Sequence, residues 1–278
     1  MDMENAILKL ADQDSNEEAW RKQRRLFLTS SDLFKFVPED VLFERGWWVE
    51  QWMARTDDGV DQNLHWARQE VMRRKMTGEE PNFGNPCQVH WGRYMEEVYR
   101  YSFDEFAGIT TEPSHALYHN ERWPYLATSI DGWCDYPPGW EGLRKPEMFV
   151  NPDGVIEAIT SLDYGMNLLE IKTTSDFGIK MWTSGKKTQP RSKIIAGRFT
   201  PQPPSIPIYY RPQVLTQMAI LDIPKCLVVG HGGMSTMVAY TMEFDPEWYE
   251  VLDRINEAVK PQLDLIRSWI DDNEEDAG

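Results

Sequence analysis

Cysteine is scarce in this chain, and its scarcity excludes several ways of stabilising a fold. The 278 residues include three cysteines, Cys87, Cys134 and Cys226, which lie far apart. Isolated cysteines do not build a disulfide framework, and they fit the reduced, buried thiols of a cytosolic protein. Three cysteines also cannot supply the four ligands of a typical iron–sulfur cluster. We therefore expect a cytoplasmic protein with no iron–sulfur cluster.

The sequence also lacks a long apolar run and a signal peptide, which argues against membrane insertion and secretion. With 41% hydrophobic residues, it can bury a full core. Motifs spread from residue 24 to residue 217 must converge, which favours one domain over residues 1–270. We expect an inserted loop at about 137–165, a basic loop at about 183–207 and an acidic tail at 271–278.

Basic residues are outnumbered by acidic ones, 29 to 45, and the formal net charge is -16. Such a charge repels a polyanion at long range. The segment from Lys172 to Arg211 is an exception, because it contains eight basic residues and one acidic residue, Asp176, so its net charge is 8 - 1 = +7. A second basic group is Arg21, Lys22, Arg24 and Arg25. An acidic exterior with a basic channel would admit a polyanion only at the channel.

One short motif of acidic and basic residues lies in a predicted strand. Residues 168–174 are apolar and β-branched in a pattern typical of a buried strand, on which Glu170 and Lys172 share a face. Upstream, residues 123–135 predict a second strand that breaks at Gly132, directly after Asp131. Taken alone, Asp131-Gly132 is more often a turn than a ligand site, and a glutamate and a lysine at Glu170 and Lys172 are equally ordinary on the wet face of a strand.

If the two strands pair, Asp131 and Glu170 meet at one oxygen-rich point with the Lys172 ammonium beside it. Hard cations such as Mg²⁺ bind carboxylate and water oxygens, and substrate phosphate completes their coordination. Such a site can activate water and neutralise charge on a phosphate. The residues therefore predict metal-dependent phosphodiester hydrolysis, in which Lys172 orients the water or stabilises the transition state.

Two predicted helices add polar side chains in a fixed order along the chain. A helical pattern carries Glu96 and continues to about Phe106. A later helix begins near Pro212, and on it Gln213 and Gln217 share a face because they are four residues apart. A third helix runs from an Asp245 N-cap to about Ile270. His115 and His119 are also four apart, but their flanking sequence does not favour a helical metal site.

From about Trp20 to about Gly230, the chain resembles the lambda exonuclease or YqaJ-type family of viral recombination nucleases in the PD-(D/E)XK superfamily. The matching motifs are Trp91-Gly92 leading to Glu96, Ser129-Ile130-Asp131-Gly132, Glu170 with Lys172, and Tyr210 with Gln213. The resemblance implies an α/β fold, with a central mixed β-sheet flanked by helices and a restriction-endonuclease-like core. It also implies an exonuclease that digests linear double-stranded DNA 5′→3′, giving mononucleotides and a 3′ overhang for recombination by strand annealing.

The resemblance assigns a role to each matched residue. Asp131, Glu170 and the Ile171 backbone carbonyl would hold one or two Mg²⁺ ions, for which Mn²⁺ can substitute. Glu96 would hold a water or a second metal, Lys172 would act on the nucleophile, and Gln213 would position water or the lysine. Arg24, Ser31 and Ser129 would receive the terminal 5′-phosphate. Further expectations are a trimeric ring, a single-strand annealing protein as partner, and the host-cell cytoplasm if the protein is viral.

The chain departs from the family pattern at two positions. Ile130 replaces the proline before Asp131, and the arginine that follows the Glu-x-Lys strand falls near Gly178, with Lys180 as the nearest substitute. Additional residues are expected to contact DNA: Lys180, Lys186, Lys187, Arg191 and Gln217. Two alternatives stay open at this point. One is a PD-(D/E)XK endonuclease that cuts internally, and the other is a non-catalytic DNA-binding recombination scaffold.

Overall fold

A computed structural model describes residues 7–47, 62–79, 86–107, 110–134, 158–159, 167–174, 206–232 and 236–275. The helices are α1 (Glu17–Arg25), a 3₁₀ helix (Ser30–Phe36), α2 (Glu39–Glu44), α3 (Gln62–Thr77), α4 (Pro86–Ala107), α5 (Arg211–Leu221) and α6 (Trp248–Glu275). The strands are β1 (Ile7–Asp12), β2 (Leu28–Thr29), β3 (Thr111–Pro113), β4 (Ala116–Asn120), β5 (Leu126–Ser129), β6 (Gly132–Cys134), β7 (Ala158–Ile159), β8 (Asn167–Thr174), β9 (Lys225–Gly232) and β10 (Thr236–Glu243).

The strands form two mixed sheets of five strands each. Their orders are β2-β5-β4-β1-β7 and β10-β9-β8-β6-β3. Each sheet has one parallel pair, β2 with β5 and β8 with β9, and its other pairs are antiparallel. The predicted class, mixed β-structure flanked by helices, is confirmed, although one central sheet was expected and the described strands form two.

The predicted strand over residues 123–135 divides into two strands, which explains why there are two sheets. β5 ends at Ser129, β6 begins at Gly132, and Ile130 and Asp131 connect the sheets. The backbone is held here because the Ser114 N–H donates to the Asp131 carbonyl at 3.3 Å. A Cβ at Gly132 would lie 2.4 Å from the Glu112 carbonyl oxygen, so β3 and β6 can approach only because residue 132 is glycine.

The strand that carries Glu170 and Lys172 lies inside the second sheet. β8 pairs in parallel with β9 and antiparallel with β6, with Leu169 opposite Gly132. Leu168, Leu169 and Ile171 are buried, and Tyr99 and Phe103 of α4 pack in the same cluster as Leu169 and Ile171. The predicted pairing of the two strands is therefore confirmed.

The helices agree closely with the sequence pattern. α4 carries Glu96 as predicted, and α5 begins with Arg211 followed by Pro212. α6 begins two residues after Pro246, and its apolar stripe is buried: Val251, Leu252, Ile255, Val259, Leu263 and Ile266. The helix continues to Glu275, so residues 271–275 of the predicted acidic tail are helical. No described helix has the length and apolarity required to cross a membrane.

Parts of the predicted loops lie outside the described residues. Within the inserted loop at 137–165, the structure describes only β7, which pairs with β1. Within the basic loop at 183–207, it describes only residues 206 and 207. Cys134 and Cys226 are buried, in agreement with the cysteine analysis.

Candidate active site

Asp131 lies at the crossing between the two sheets and reaches the strand that carries Glu170. Its Oδ2 accepts a hydrogen bond of 2.7 Å from the Ile171 backbone N–H. Burial raises the pKa of the Asp131 carboxyl well above its ordinary value, and the charges of Glu170 and Glu96 raise it further. The carboxyl groups of Asp131, Glu170 and Glu96 therefore lie close enough for their charges to repel one another.

Glu170 is 1% exposed and is held by donors on two elements. The Gln213 side-chain amide donates to Oε1 at 2.5 Å, and the Gln217 amide donates to Oε2 at 2.6 Å. The Lys172 ammonium also pairs with Oε1. A buried carboxylate needs such partners, and two glutamines four residues apart on α5 supply them from one helix face.

The surroundings of Gln217 differ from those expected of a residue that contacts DNA. It is 0% exposed, and its amide also donates to the Ser129 carbonyl at 3.0 Å. A side chain enclosed in this way connects Glu170 to β5 and does not reach solvent. The structure therefore argues against the predicted contact of Gln217 with DNA.

Lys172 keeps its positive charge despite its surroundings. Burial alone would lower the pKa of the ammonium, but the charges of Glu170 and Asp131 outweigh it and raise the pKa above the ordinary lysine value. The ammonium also lies 5.3 Å from the centre of the Tyr210 ring. A protonated lysine in this position can donate hydrogen bonds and stabilise negative charge.

Glu96 approaches the same site from α4. Burial raises the pKa of its carboxyl, and the charge of Glu170 raises it further. Glu96, Asp131, Lys172 and Gln213 line one cavity of about 740 Å³. The same cavity is lined by the three residues predicted to receive a terminal phosphate: Arg24, Ser31 and Ser129.

Arg24 and Ser31 are in direct contact, and both line this cavity. The Arg24 guanidinium donates to the Ser31 hydroxyl at 3.1 Å and lies 4.9 Å from the centre of the Trp20 ring. Among the described residues, two buried polar groups that line the cavity have no hydrogen-bond partner, the Ser129 hydroxyl and the Trp20 indole N–H. A ligand with several acceptor oxygens would satisfy both groups.

Lys75 of α3 holds the backbone of Arg24 in place. Its ammonium donates to the Arg24 carbonyl at 3.2 Å, and the Arg25 guanidinium donates to the carbonyls of Lys75 and Met76 at 3.0 and 2.6 Å. Burial lowers the pKa of Lys75 to about 7, although the nearby Asp32 opposes the shift. These bonds fix the end of α1 and with it the backbone of Arg24.

The cavity-lining residues that sequence reasoning missed include Trp20, Arg100 and His115. The signal for Trp20 and Arg100 was their spacing, because each lies four residues from a predicted site residue on the same helix, Arg24 or Glu96. His115 donates through Nδ1 to Asp14 at 2.8 Å. His119 is separate and buried, and it donates to the Leu126 carbonyl, so the two histidines do not form a metal pair.

The other predicted DNA contacts, Lys180, Lys186, Lys187 and Arg191, lie outside the described residues, as does Gly178. The predicted ligand Ile171 contributes its N–H to Asp131, as described above. The carboxylates of Asp131 and Glu170 belong to a hydrogen-bonded network that leaves acceptor positions open, since a carboxylate has about four lone-pair sites. Glu170 accepts three bonds from Gln213, Gln217 and Lys172.

This donor set suits a divalent cation that needs few protein ligands. In the described part of the chain, no group of three or more His, Cys, Asp or Glu side chains could hold a metal ion. Mg²⁺ needs only one or two carboxylates, because water and substrate phosphate complete its shell. The repulsion between Asp131, Glu170 and Glu96 would also be relieved by a divalent cation.

Comparison with known proteins gives a family match and a fold match. A family model described as YqaJ-like viral recombinase domain matches residues 19–224. The structure is similar to the crystal structure of an alkaline exonuclease from Laribacter hongkongensis, at 14% identity and a TM-score of 0.54, covering 94% of this chain and 100% of that one. The structure of that enzyme in complex with dAMP matches equally well. No curated protein matches the sequence. The structural likeness confirms the predicted PD-(D/E)XK fold.

Proposed function

Because the chain belongs to the family of YqaJ-like viral recombinase domains, we propose that it is a metal-dependent DNA exonuclease of the lambda exonuclease type. The observation that carries this proposal is the single cavity in which the phosphate-binding candidates, Arg24, Ser31 and Ser129, lie together with Asp131 and Lys172. Its volume of about 740 Å³ suits a ligand the size of one nucleotide. An anchored end beside a hydrolytic site favours release of one nucleotide at a time.

The proposed substrate is the 5′-phosphorylated end of linear double-stranded DNA. The Arg24 guanidinium would bind two phosphate oxygens, which its fork geometry allows. Ser31 and the unpartnered Ser129 hydroxyl would donate to the remaining oxygens. Cleavage from this end would proceed 5′→3′, release mononucleotides and leave a 3′ overhang for recombination by strand annealing.

Asp131, Glu170 and the Ile171 carbonyl would hold one or two Mg²⁺ ions, or Mn²⁺ in their place, with Glu96 holding a water or the second ion. When bound, the metal would lower the pKa of a water and neutralise charge on the phosphate. Lys172 would donate to the nucleophile or to a phosphate oxygen as a fixed positive charge. Gln213 would keep Glu170 oriented, and through Glu170 it would position Lys172.

Partners and assembly belong to the same proposal. The family resemblance supports a trimeric ring around DNA and a separate single-strand annealing protein that coats the 3′ overhang. A ring would also suit the formal net charge of -16, since DNA would be repelled everywhere except at the bore. The cysteine content supports action in the cytoplasm, or in the host-cell cytoplasm for a viral protein.

Digestion of defined substrates tests the proposal. Wild-type protein with Mg²⁺ should release 5′-labelled mononucleotide from a 5′-phosphorylated linear duplex and should leave a closed circle intact. Lys172→Ala should lower the rate by about 10²- to 10³-fold, because a fixed charge is lost from the transition state. Cutting of the closed circle would instead identify an endonuclease. A folded wild type without activity on any duplex would identify a non-catalytic scaffold.

A further inference from the structure

We propose that Arg100 binds a backbone phosphate of the strand being cleaved, at or next to the scissile position. This inference rests on the proposed function and adds a phosphodiester-binding residue that is separate from Arg24 and Ser31. Arg100 lies on α4 four residues after Glu96, so the two side chains emerge from the same face. Both line the cavity that contains Asp131 and Lys172.

The Arg100 guanidinium is available to a ligand. In the described part of the chain, it has neither a hydrogen bond nor an ion pair. Carboxylates nevertheless lie one helical turn before and one turn after it, at Glu96 and Asp104. Asp104, one turn further on, instead accepts bonds from the Thr111 hydroxyl and N–H at 3.1 and 3.3 Å. Lys172 is paired with Glu170, and Arg24 donates to Ser31. Arg100 therefore differs from the other two cations of the cavity.

The charge of the cavity explains why such a cation would be needed. Five acidic residues line it, Asp14, Glu17, Glu96, Glu97 and Asp131, against the cations Arg24, Arg100 and Lys172. A phosphodiester would be repelled by these carboxylates unless a positive group faced it. A guanidinium binds two phosphate oxygens at once and stays charged at every working pH, which makes it suited to this position.

The competing explanation is that Arg100 only balances the charges of Glu96 and Asp104, whose carboxyl pKa values its charge lowers. In that case its effect would not depend on any particular phosphate of the DNA.

A thermodynamic cycle between the protein and the DNA backbone separates these explanations. Wild type and Arg100→Gln are titrated with a 5′-phosphorylated hairpin duplex, with Ca²⁺ replacing Mg²⁺ to prevent hydrolysis. Separate duplexes carry one neutral methylphosphonate at the second, third or fourth phosphate from the 5′ end. At the contacted phosphate, each single change should weaken binding by about tenfold, and the combination should weaken it no further. Arg254→Gln, which removes an arginine bound to Asp40, is the charge-matched control.

The results that overturn the inference are equally specific. One such result is that Arg100→Gln binds normal DNA as tightly as wild type does. The other is that Arg100→Gln weakens binding by the same factor on every methylphosphonate duplex as on normal DNA. Either result would show that Arg100 contacts none of these phosphates. Thermal melting shows whether Arg100→Gln is folded. If it is not, Arg100→Lys takes its place in the same cycle, because lysine keeps the positive charge but lacks the forked guanidinium. A wild type that cleaves linear duplex while the cycle shows no coupling would refute this inference and leave the proposed function intact.

Discussion

At the scale of single residues, the two predicted metal ligands differ in how the protein holds them. Glu170 accepts bonds from Gln213, Gln217 and Lys172, and it is 1% exposed. Asp131 receives one bond, from the Ile171 N–H, and its other oxygen has no partner in the described residues. Glu170 is thus fixed by the protein, whereas Asp131 has an oxygen left for a ligand.

Asp131→Asn should stabilise the metal-free protein and abolish stabilisation by Mg²⁺. The pKa of Asp131 is raised on folding by burial and by the charges of Glu170 and Glu96, so its ionised form destabilises the folded state at neutral pH. Asparagine removes the charge and keeps an oxygen for the Ile171 N–H. A gain on the order of 1 kcal/mol would raise the melting temperature by about 2–4 °C in EDTA.

Differential scanning fluorimetry with and without Mg²⁺ measures both effects. Asp40→Asn is the matched control, because Asp40 pairs with Arg254 on the surface. Equal stabilisation of wild type and Asp131→Asn by Mg²⁺ would show that Asp131 is not a metal ligand.

The spacing of residues predicted the centre of the site, but it could not predict the surroundings. The periods of a strand and a helix fix the face on which each side chain lies. They therefore predicted that Glu170 shares a face with Lys172 and that Gln213 shares a face with Gln217. Spacing does not say what lies opposite that face. Gln217 was therefore predicted to contact DNA although its buried side chain donates to Glu170, and Arg100 was assigned no role although it lines the cavity.

At the scale of elements, the crossing from β5 to β6 determines where Asp131 points. The apolar pattern continues through Ile130, so the sequence indicated one strand where the structure has two. Nothing local in the sequence reports that β5 and β6 pair with different neighbours, because strand pairing is a long-range property. Gly132 is the local sign of the crossing, and its close approach to Glu112 gives it a testable role.

Gly132→Ala should destabilise the fold and reduce nuclease activity. The added methyl would lie 2.4 Å from the Glu112 carbonyl oxygen, so β3 and β6 must separate, and Asp131 must move with β6. Overpacking of this kind costs about 1–3 kcal/mol. Urea unfolding measures the loss, and digestion of linear duplex measures the activity.

Gly46→Ala is the control for this change. Gly46 has φ of +63°, but a Cβ there has no atom within 4 Å, so alanine introduces backbone strain without a clash. It should lower stability and keep the activity of the folded fraction. If Gly132→Ala behaves in the same way, the close packing of β6 against β3 does not position Asp131.

The contact between α3 and α1 should make stability depend on pH through Lys75. The pKa of this lysine falls from 10.5 to about 7 on folding, mainly through burial, while Asp32 opposes the shift and Arg24, Arg74 and Lys35 add to it. The unfolded chain therefore binds more protons between these two values, and stability rises with pH across that window. Below about pH 7, the full cost of burying the charged ammonium is present.

Lys75→Met should remove this dependence, because it keeps the aliphatic chain and removes the ammonium. Relative to the variant, wild type should gain up to about 1.4 kcal/mol of unfolding free energy per pH unit above pH 7. Urea unfolding across this range measures the difference, and Lys260→Met on the exposed face of α6 is the matched control. Parallel pH profiles for wild type and Lys75→Met would contradict a lowered pKa at Lys75.

At the scale of the whole molecule, the net negative charge of the protein opposes its binding to DNA. A formal net charge of -16 repels DNA at a distance, yet three cationic side chains line the cavity, those of Arg24, Arg100 and Lys172. The amino-acid sequence alone indicates this opposition, because the segment from Lys172 to Arg211 is basic in an acidic chain. Sequence could not show that the two ends of the site share one cavity, because α1 and α4 are brought to β8 only by folding.

Association with DNA should therefore become faster as salt is added at low ionic strength. The Debye length shortens from about 30 Å at 0.01 M to about 10 Å at 0.1 M salt, which screens the distant acidic surface more than the contacts in the cavity. Stopped-flow fluorescence with linear duplex and Ca²⁺ measures the association rate constant. A duplex with a fully methylphosphonate backbone is the control, since it carries no charge to be repelled. An association rate that falls steadily with salt would mean that basic residues dominate the approach of DNA, and that the acidic exterior does not control access to the site.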